Sequence, residues 1–397
     1  MVTVQVSRIR LVVFLSAAVF LVRTVMMMMG PVLVAVAAAF DTSVAATGQL
    51  AAAMGITWGI TAPLVGPLSD IYGRRKVGLT GLMVMAVATL GSLLVWNYWG
   101  LLVCRLLAGV GAAMIPPNSV AAIADRFAPA ERGRPISVLI SASFVALVIA
   151  TPVVAVLGEM GGWRLPFIVV GVSIIGVWAL QWYWLPEHPP VGRRFGFIAH
   201  FKEVGRNKGL WLVLLANFFY QTAALGIFTY LVAFLVRTYG MTQGDAALPL
   251  GVVGAGAISG SLLGGYVAGR KRRLSWAAFV LLLGGLSIGL AFSTGLRPWM
   301  AIMLCSAGAL LLTVFEPVTW VLTAELAGES RATANGLLAT SNQLGFIGGA
   351  SVGGLMLSVG GYPLLGFFFL GAAIAAAVVV IGIGIGDKLR SAQAVRI

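Results

Sequence analysis

Twelve apolar segments of membrane-spanning length recur along this chain, and that recurrence limits the available folds more than any single residue does. They read at about 9–39, 48–68, 77–96, 99–124, 134–158 and 163–185, and then at about 209–236, 245–268, 274–293, 298–324, 332–358 and 362–386. A helix of about twenty apolar residues matches the hydrocarbon thickness of a bilayer. Composition agrees: 60% of the 397 residues are apolar and 10% are charged, where soluble domains run near 45–50% and 25%. The apolar share, roughly 238 residues, is about what twelve spans of twenty need. The 51 glycines and 16 prolines suit helices that pack closely or bend in a membrane. An ordinary cytosolic enzyme or a secreted domain is excluded. The expected fold class is an all-α integral membrane protein with twelve transmembrane helices.

The polar stretch PEHPPVGRRFGFIAHFKEVGRNKG, residues 186–209, divides the segments six and six. It predicts two six-helix bundles, 1–185 and 209–397, joined by a linker over 186–208. Within the linker, Phe195 to Val204 reads as a short amphipathic surface helix. The first span is the longest and is expected to tilt or kink near Gly30 and Pro31. It runs from Arg10 to Phe40 without a cleavage pattern, so it is not read as a removable signal peptide.

A net charge of +14 raises the question of nucleic acid, and the placement of the charges answers it. With the N-terminus inside, 21 of the 26 basic side chains fall on inner loops and tails. Arg164, Arg237 and Arg297 fall outside, and Arg23 and Arg105 lie within spans. This bias orients the chain with both termini cytoplasmic. The basic clusters then face anionic lipid head groups, and no nucleic-acid partner is needed. Cys104 and Cys305 lie inside apolar runs, with neither disulfide nor metal spacing. His188 and His200 both sit in the linker. No paired histidine and carboxylate, metal-spaced cluster or phosphate loop points to an enzyme, a metal or a cofactor.

GPLSDIYGRRK, from Gly66 to Lys76, follows the second span directly. Its glycines permit a tight turn between helices, Asp70 can pair with a neighbouring Arg or a helix N-terminus, and the basic run holds the loop at the inner face. The spacing of Gly66, Asp70, Gly73, Arg74 and Arg75 closely resembles the signature loop between helices 2 and 3 of the major facilitator superfamily. CRLLAGVG, with Arg105 four residues before Gly109, resembles that family's fourth helix. DRFAPAERGR, Asp125 to Arg134, resembles its charged loop before helix 5, and GWRLPF, Gly162 to Phe167, its start of helix 6. In the second half, GYVAGRKRR (Gly265 to Arg273) and ESRATANG (Glu329 to Gly336) look like weaker copies of the first-half loops.

The resemblance covers nearly the whole chain. It implies the major facilitator fold of two pseudo-symmetric six-helix bundles, with substrate held near the midplane, and it is nearest to bacterial drug/proton antiporters. Two departures stand out. Gly269 occupies the place of the acid in the second loop. In helix 5 the antiporter signature is reduced to TPVVAV, Thr151 to Val156, which retains only Pro152.

Charges inside spans carry the functional reading, because a charge in hydrocarbon is costly and turns to the protein interior. Arg23 reads as an anion-attracting or proton-pathway group, or as a structural pair. Arg105 is read the same way, and the resemblance adds a part in proton coupling. Glu316, deep in span ten, reads as a carboxylate whose protonation responds to access from either side, or as half of an ion pair with Arg23 or Arg105. Asn118, Asn217, Tyr220, Gln221, Tyr230, Asn335, Asn342 and Gln343 are candidate cavity-lining residues. Asn217, Tyr220 and Gln221 share one helical face. Met26, in the run Met26 to Met29, offers a soft wall beside Arg23.

These residues describe a secondary transporter of the bacterial inner membrane, acting as a monomer on a small molecule with protons as coupling ion. The loop of Asp70, Arg74 and Arg75 gates one state. Proton-coupled efflux of an amphipathic or drug-like compound is the first expectation. Transport of a small organic anion drawn by Arg23 is the second, and a non-transporting membrane sensor of the same fold is the third.

Overall fold

The computed structural model describes residues 8–42, 44–128, 131–185, 204–241, 245, 247–293, 295–328 and 330–394. The described elements are all helical: α1 (Arg8–Met27), α2 (Met29–Ala39), α3 (Val44–Tyr72), α4 (Arg74–Gly91), α5 (Tyr98–Ala113), α6 (Pro116–Arg126), α7 (Gly133–Gly161), α8 (Arg164–Trp184), α9 (Lys208–Tyr239), α10 (Ala247–Ala268), α11 (Arg273–Ser293), α12 (Pro298–Thr313), α13 (Phe315–Leu326) and α14 (Arg331–Ala394). The surface helix expected over Phe195 to Val204 lies almost wholly outside the described residues.

Among the described residues, nine helical stretches are long and apolar enough to cross a membrane. The expected count of twelve clean spans is therefore not what the helices alone give. Spans two and three correspond to α3 and α4, which are not among the nine; α4 has 18 residues and places Arg74, Arg75 and Lys76 in its first turn. Spans eleven and twelve form one helical stretch, Thr333–Gly384, of 52 residues. That stretch breaks at Gly360 and Gly361, where Gly361 has φ 66 and ψ −162, a conformation open essentially to glycine alone.

Three expected spans are also interrupted. The first breaks at Met28, between α1 and α2, two residues ahead of the expected kink. The reason is proline's missing N–H, which the first turn of a helix tolerates because its donors have no intrahelical acceptor. The chain accordingly restarts its helix just before Pro31. The same device recurs where α6 opens on Pro116 and where Pro317 falls in the first turn of α13.

The chain divides into two compact units. One comprises Met1–Ala128, Val138–Glu203 and Glu329–Thr340; the other comprises Pro129–Ser137, Val204–Gly328 and Ser341–Ile397. Each is built on the same internal pattern. In the first, α5 packs against α3 and α4, and α4 also packs against α8. In the second, α12 packs against α10 and α11. Hydroxyls join these pairs: Thr57 Oγ1 donates to the Leu106 carbonyl at 2.9 Å, and in the second unit Ser306 Oγ donates to Val252 at 3.0 Å and Thr313 Oγ1 to Ala257 at 2.9 Å. Such bonds hold helices together where lipid supplies no hydrophobic drive. Close approach completes the seam at Gly109, where a Cβ would lie 2.0 Å from Thr57 Oγ1 and 2.4 Å from the Met54 carbonyl.

Candidate functional site

In the first unit, α5 turns Arg105 inward until it is only 2% exposed. Its Nη1 donates to the Val25 carbonyl at 3.0 Å and its Nε to the Leu50 carbonyl at 3.4 Å. Val25 lies in the last turn of α1, where final carbonyls lack intrahelical donors, so the guanidinium fills that need at the α1–α2 break. Nη2 is buried without a hydrogen-bond partner. A fully buried cation held by neutral carbonyls retains its charge uncompensated by those contacts, and desolvation of that charge is expensive. Arg23, on α1, is half-buried, and its Nη1 lies 3.6 Å from Sδ of the buried Met26. Arg23 thus lies beside Met26 on the same helix.

The signature loop closes around Arg74. Gly73 precedes α4 with φ 89, a backbone region that side chains with a Cβ rarely enter. Arg74 then reaches Asp70 at 2.7 Å and Asp125 at 3.1 Å and donates to the Ser69 hydroxyl. Arg75 donates to the Trp182 carbonyl. Asn118 donates to the Arg74 carbonyl at 2.7 Å, which ties it to this loop. Asp125 and Ser69 were not singled out from sequence as Arg74 partners; the charge of Asp125 in the quoted DRFAPAERGR segment was the available signal. The second unit repeats the arrangement with Arg273 bonded through two nitrogens to Glu325. Gly269 leaves that repeat without the counterpart of Asp70.

In the second unit, Glu316 opens α13 and is buried, and the Tyr220 hydroxyl on α9 donates to its Oε2 at 3.0 Å. The Tyr220 ring stands edge-on to Phe315 at 5.6 Å. Asn217, one helical turn away, donates to Asn342 Oδ1 at 2.6 Å and to Ser341 Oγ at 3.1 Å. The shared face of Asn217, Tyr220 and Gln221 is buried and engages α13 and α14. Gln343 is also buried, with Nε2 unpartnered. Tyr230 donates to the Ala350 carbonyl.

Asn335, by contrast, clusters with the first unit; it is fully buried, and both of its side-chain amide atoms lack partners among the described residues. Nearby in sequence, Thr340 Oγ1 donates to the Gly59 carbonyl at 2.8 Å, the carbonyl that Pro63 leaves without its helical donor. Pro63 inside an apolar run was the sequence signal for that contact. No group of three or more potential metal ligands occurs among the described residues.

The family model of the Major Facilitator Superfamily matches residues 15–350. Among curated relatives, the transcription regulatory protein OpdE of Pseudomonas aeruginosa is 30% identical over 339 residues, 82% of this chain and 81% of its own. The hexuronate transporter of Escherichia coli strain K12 is 25% identical over 363 residues, covering 81% and 82%. Among solved structures, that of the human organic anion transporter MFSD10 superposes with a TM-score of 0.77 at 17% identity, over 95% of this chain and 100% of its own. The chain therefore belongs to the Major Facilitator Superfamily. It is a multi-pass membrane protein of that all-helical fold, a secondary transporter of a small organic solute rather than an enzyme.

Proposed function

We propose that this protein carries a small organic anion across the bacterial inner membrane, coupled to protons. The observation that carries this reading is Arg105: a buried guanidinium with Nη2 unpartnered and only neutral carbonyls on its other nitrogens. A substrate carboxylate or sulfonate would offset that charge through a charge-assisted hydrogen bond. Arg23 and Met26 flank the approach from α1. Similarity to the hexuronate transporter supports an anionic cargo over the drug-like compound expected first, and the eroded helix-5 signature agrees. Drug efflux and antiport accordingly rank second to anion transport.

The same proposal assigns further roles. Glu316, hydrogen-bonded by Tyr220, takes and releases the coupling proton. Asn217, Gln221, Tyr230, Asn335 and Asn342 contribute polar contacts along the path, and Asn118 braces the gating loop of Gly66, Asp70, Gly73, Arg74 and Arg75. Twelve crossings follow if α3 and α4 each span and α14 crosses twice around Gly361. They form bundles 1–185 and 209–397 about the linker 186–208, in a functional monomer with both termini cytoplasmic. The basic face meets anionic lipid.

The test is flux into proteoliposomes under an imposed pH gradient, with radiolabelled hexuronates and other carboxylates against cationic dyes. Carboxylate uptake that requires Arg105 supports the proposal. Dye movement without carboxylate movement overturns it. The similarity to OpdE, a transcription regulatory protein, favours the sensor reading as the alternative, which predicts no flux of either kind.

A further inference from the structure

Four helices of the first unit meet around a small cavity. Leu11 and Ala18 reach it from α1, Leu82 from α4, Asn118 and Ser119 from α6, and Gln181 from α8. Its volume is about 20 Å³, and a water molecule needs about 10–15 Å³ of such space. One water fits and an organic solute does not, so the cavity is not a cargo site. Much of its wall is apolar and deeply buried: Leu82 has no exposed surface, and Ile115, also on the wall, is 2% exposed. A wholly apolar cavity stays dry, whereas one that offers two or more polar partners holds water.

Asn118 supplies the first of these partners. It lies in the opening turn of α6, which begins at Pro116, and it is 4% exposed. Its Nδ2 donates to the Arg74 carbonyl at 2.7 Å. Gly78 leaves room for that contact, since a Cβ there would lie 3.1 Å from Nδ2. The Asn118 Oδ1 is buried and has no hydrogen-bond partner. Buried acceptors in folded proteins are as a rule bonded, because one left without a donor forfeits the water it had in the unfolded chain. The adjacent hydroxyl does not serve it: Ser119 Oγ donates to the Ile115 carbonyl at 2.8 Å. Gln181 supplies the second partner. It is buried, and its Nε2 donates to the Phe14 carbonyl at 2.9 Å, while the amide oxygen Oε1 can only accept.

We propose that this cavity binds a single water molecule, which donates one hydrogen bond to Asn118 Oδ1 and the other to Gln181 Oε1. A metal cation in the same place is disfavoured, because Arg74 and Arg75 line the cavity and like charges repel. The water ties α6 to α8 and, through the Gln181–Phe14 bond, to α1. It also fixes which way the Asn118 amide faces: with Oδ1 held by a donor, Nδ2 stays on the Arg74 carbonyl. One solvent molecule is then part of what secures the start of α4, whatever the cargo.

The test is X-ray hydroxyl-radical footprinting of the full-length protein in detergent, read by mass spectrometry. Radiolysis of a bound water labels the side chains around it even where bulk solvent does not reach. Leu82 and Ile115 are expected to be labelled well above Leu281 and Ile288, which are of the same types and fully buried in the second unit. Ala18→Val fills the cavity from α1 and is expected to abolish that excess. If Ala18→Val is not monodisperse, Ala122→Val fills the same cavity from α6. Asn118→Leu keeps the side-chain size, removes the acceptor and is expected to lose the excess as well. Gly176→Ala, with open space at its Cβ, is expected to retain it. Equal labelling of the two pairs in the wild type overturns the proposal. An excess that survives filling of the cavity also overturns it, since the label then comes from bulk solvent, and one that survives Asn118→Leu overturns the assignment to Asn118.

Discussion

Arg273 Nη1 lies 2.9 Å from Glu325 Oε1 at the start of α11, and Arg74 Nε lies 3.1 Å from Asp125 Oδ2 at the start of α4. The two pairs occupy corresponding places in the two halves of the chain and differ in what surrounds them. Arg74 also holds Asp70 and Ser69, while the second half has Gly269 where the first has Asp70.

The asymmetry sets an order of effects. Arg273→Gln removes a partly exposed pair and is expected to cost about 0.2–1 kcal/mol. Arg74→Gln removes a network of three partners and is expected to cost more. Thermal unfolding in detergent reads both, and an equal shift in unfolding temperature for the two variants would contradict the network account.

Gly109 sets the separation of α3 and α5. Gly109→Ala places a methyl within 2.4 Å of the Met54 carbonyl and on top of Thr57 Oγ1, so the helices must part and the Thr57–Leu106 bond is lost. A destabilisation of about 1–3 kcal/mol is expected. Gly176→Ala meets nothing within 4 Å and is expected to be neutral in the same unfolding assay.

The break in α14 depends on Gly361, whose φ of 66 and ψ of −162 exclude an ordinary side chain. Gly361→Ala is expected to cost about 1–3 kcal/mol, seen as lower yield of monodisperse protein. Gly382→Ala, with open space at its Cβ, serves as the control.

Glu316 and Tyr220 test coupling separately from binding. Glu316→Gln keeps the shape and is expected to abolish the response of carboxylate flux to an imposed pH gradient while exchange without a gradient persists. Tyr220→Phe deletes the donor to Oε2, a hydrogen bond worth about 1.5–3 kcal/mol when the acceptor is charged. It is expected to weaken the response of flux to the imposed gradient less than Glu316→Gln does. Unaltered gradient dependence in Glu316→Gln would remove the carboxylate from the coupling step.

Much of the candidate site was legible one residue at a time. Arg23, Arg105 and Glu316 declared themselves because charge within an apolar run has few tolerable explanations. Asp70 was expected to meet a nearby Arg or a helix N-terminus, and it meets Arg74. What each side chain touches was less accessible. Asn118, read as cavity lining, also donates to the Arg74 carbonyl. Asn217 engages Ser341 and Asn342 more than a hundred residues away, and sequence periodicity carries no information across such a separation.

The division between the two kinds of knowledge is physical. Apolar segment length and the place of each charge along the chain are local properties, so the sequence alone established an all-helical, multi-pass membrane protein. Where helices break depends on a local rule read in context: Pro31, Pro116 and Pro317 sit in the first turns of new helices, so the interruptions fall just upstream of them. Which carbonyls Arg105 reaches, which hydroxyl meets Glu316 and which acids meet Arg74 were decided only by tertiary packing. Those partners come together through the close approach of helices distant in sequence, and the distances between them are set by residues such as Gly109 that carry no charge at all.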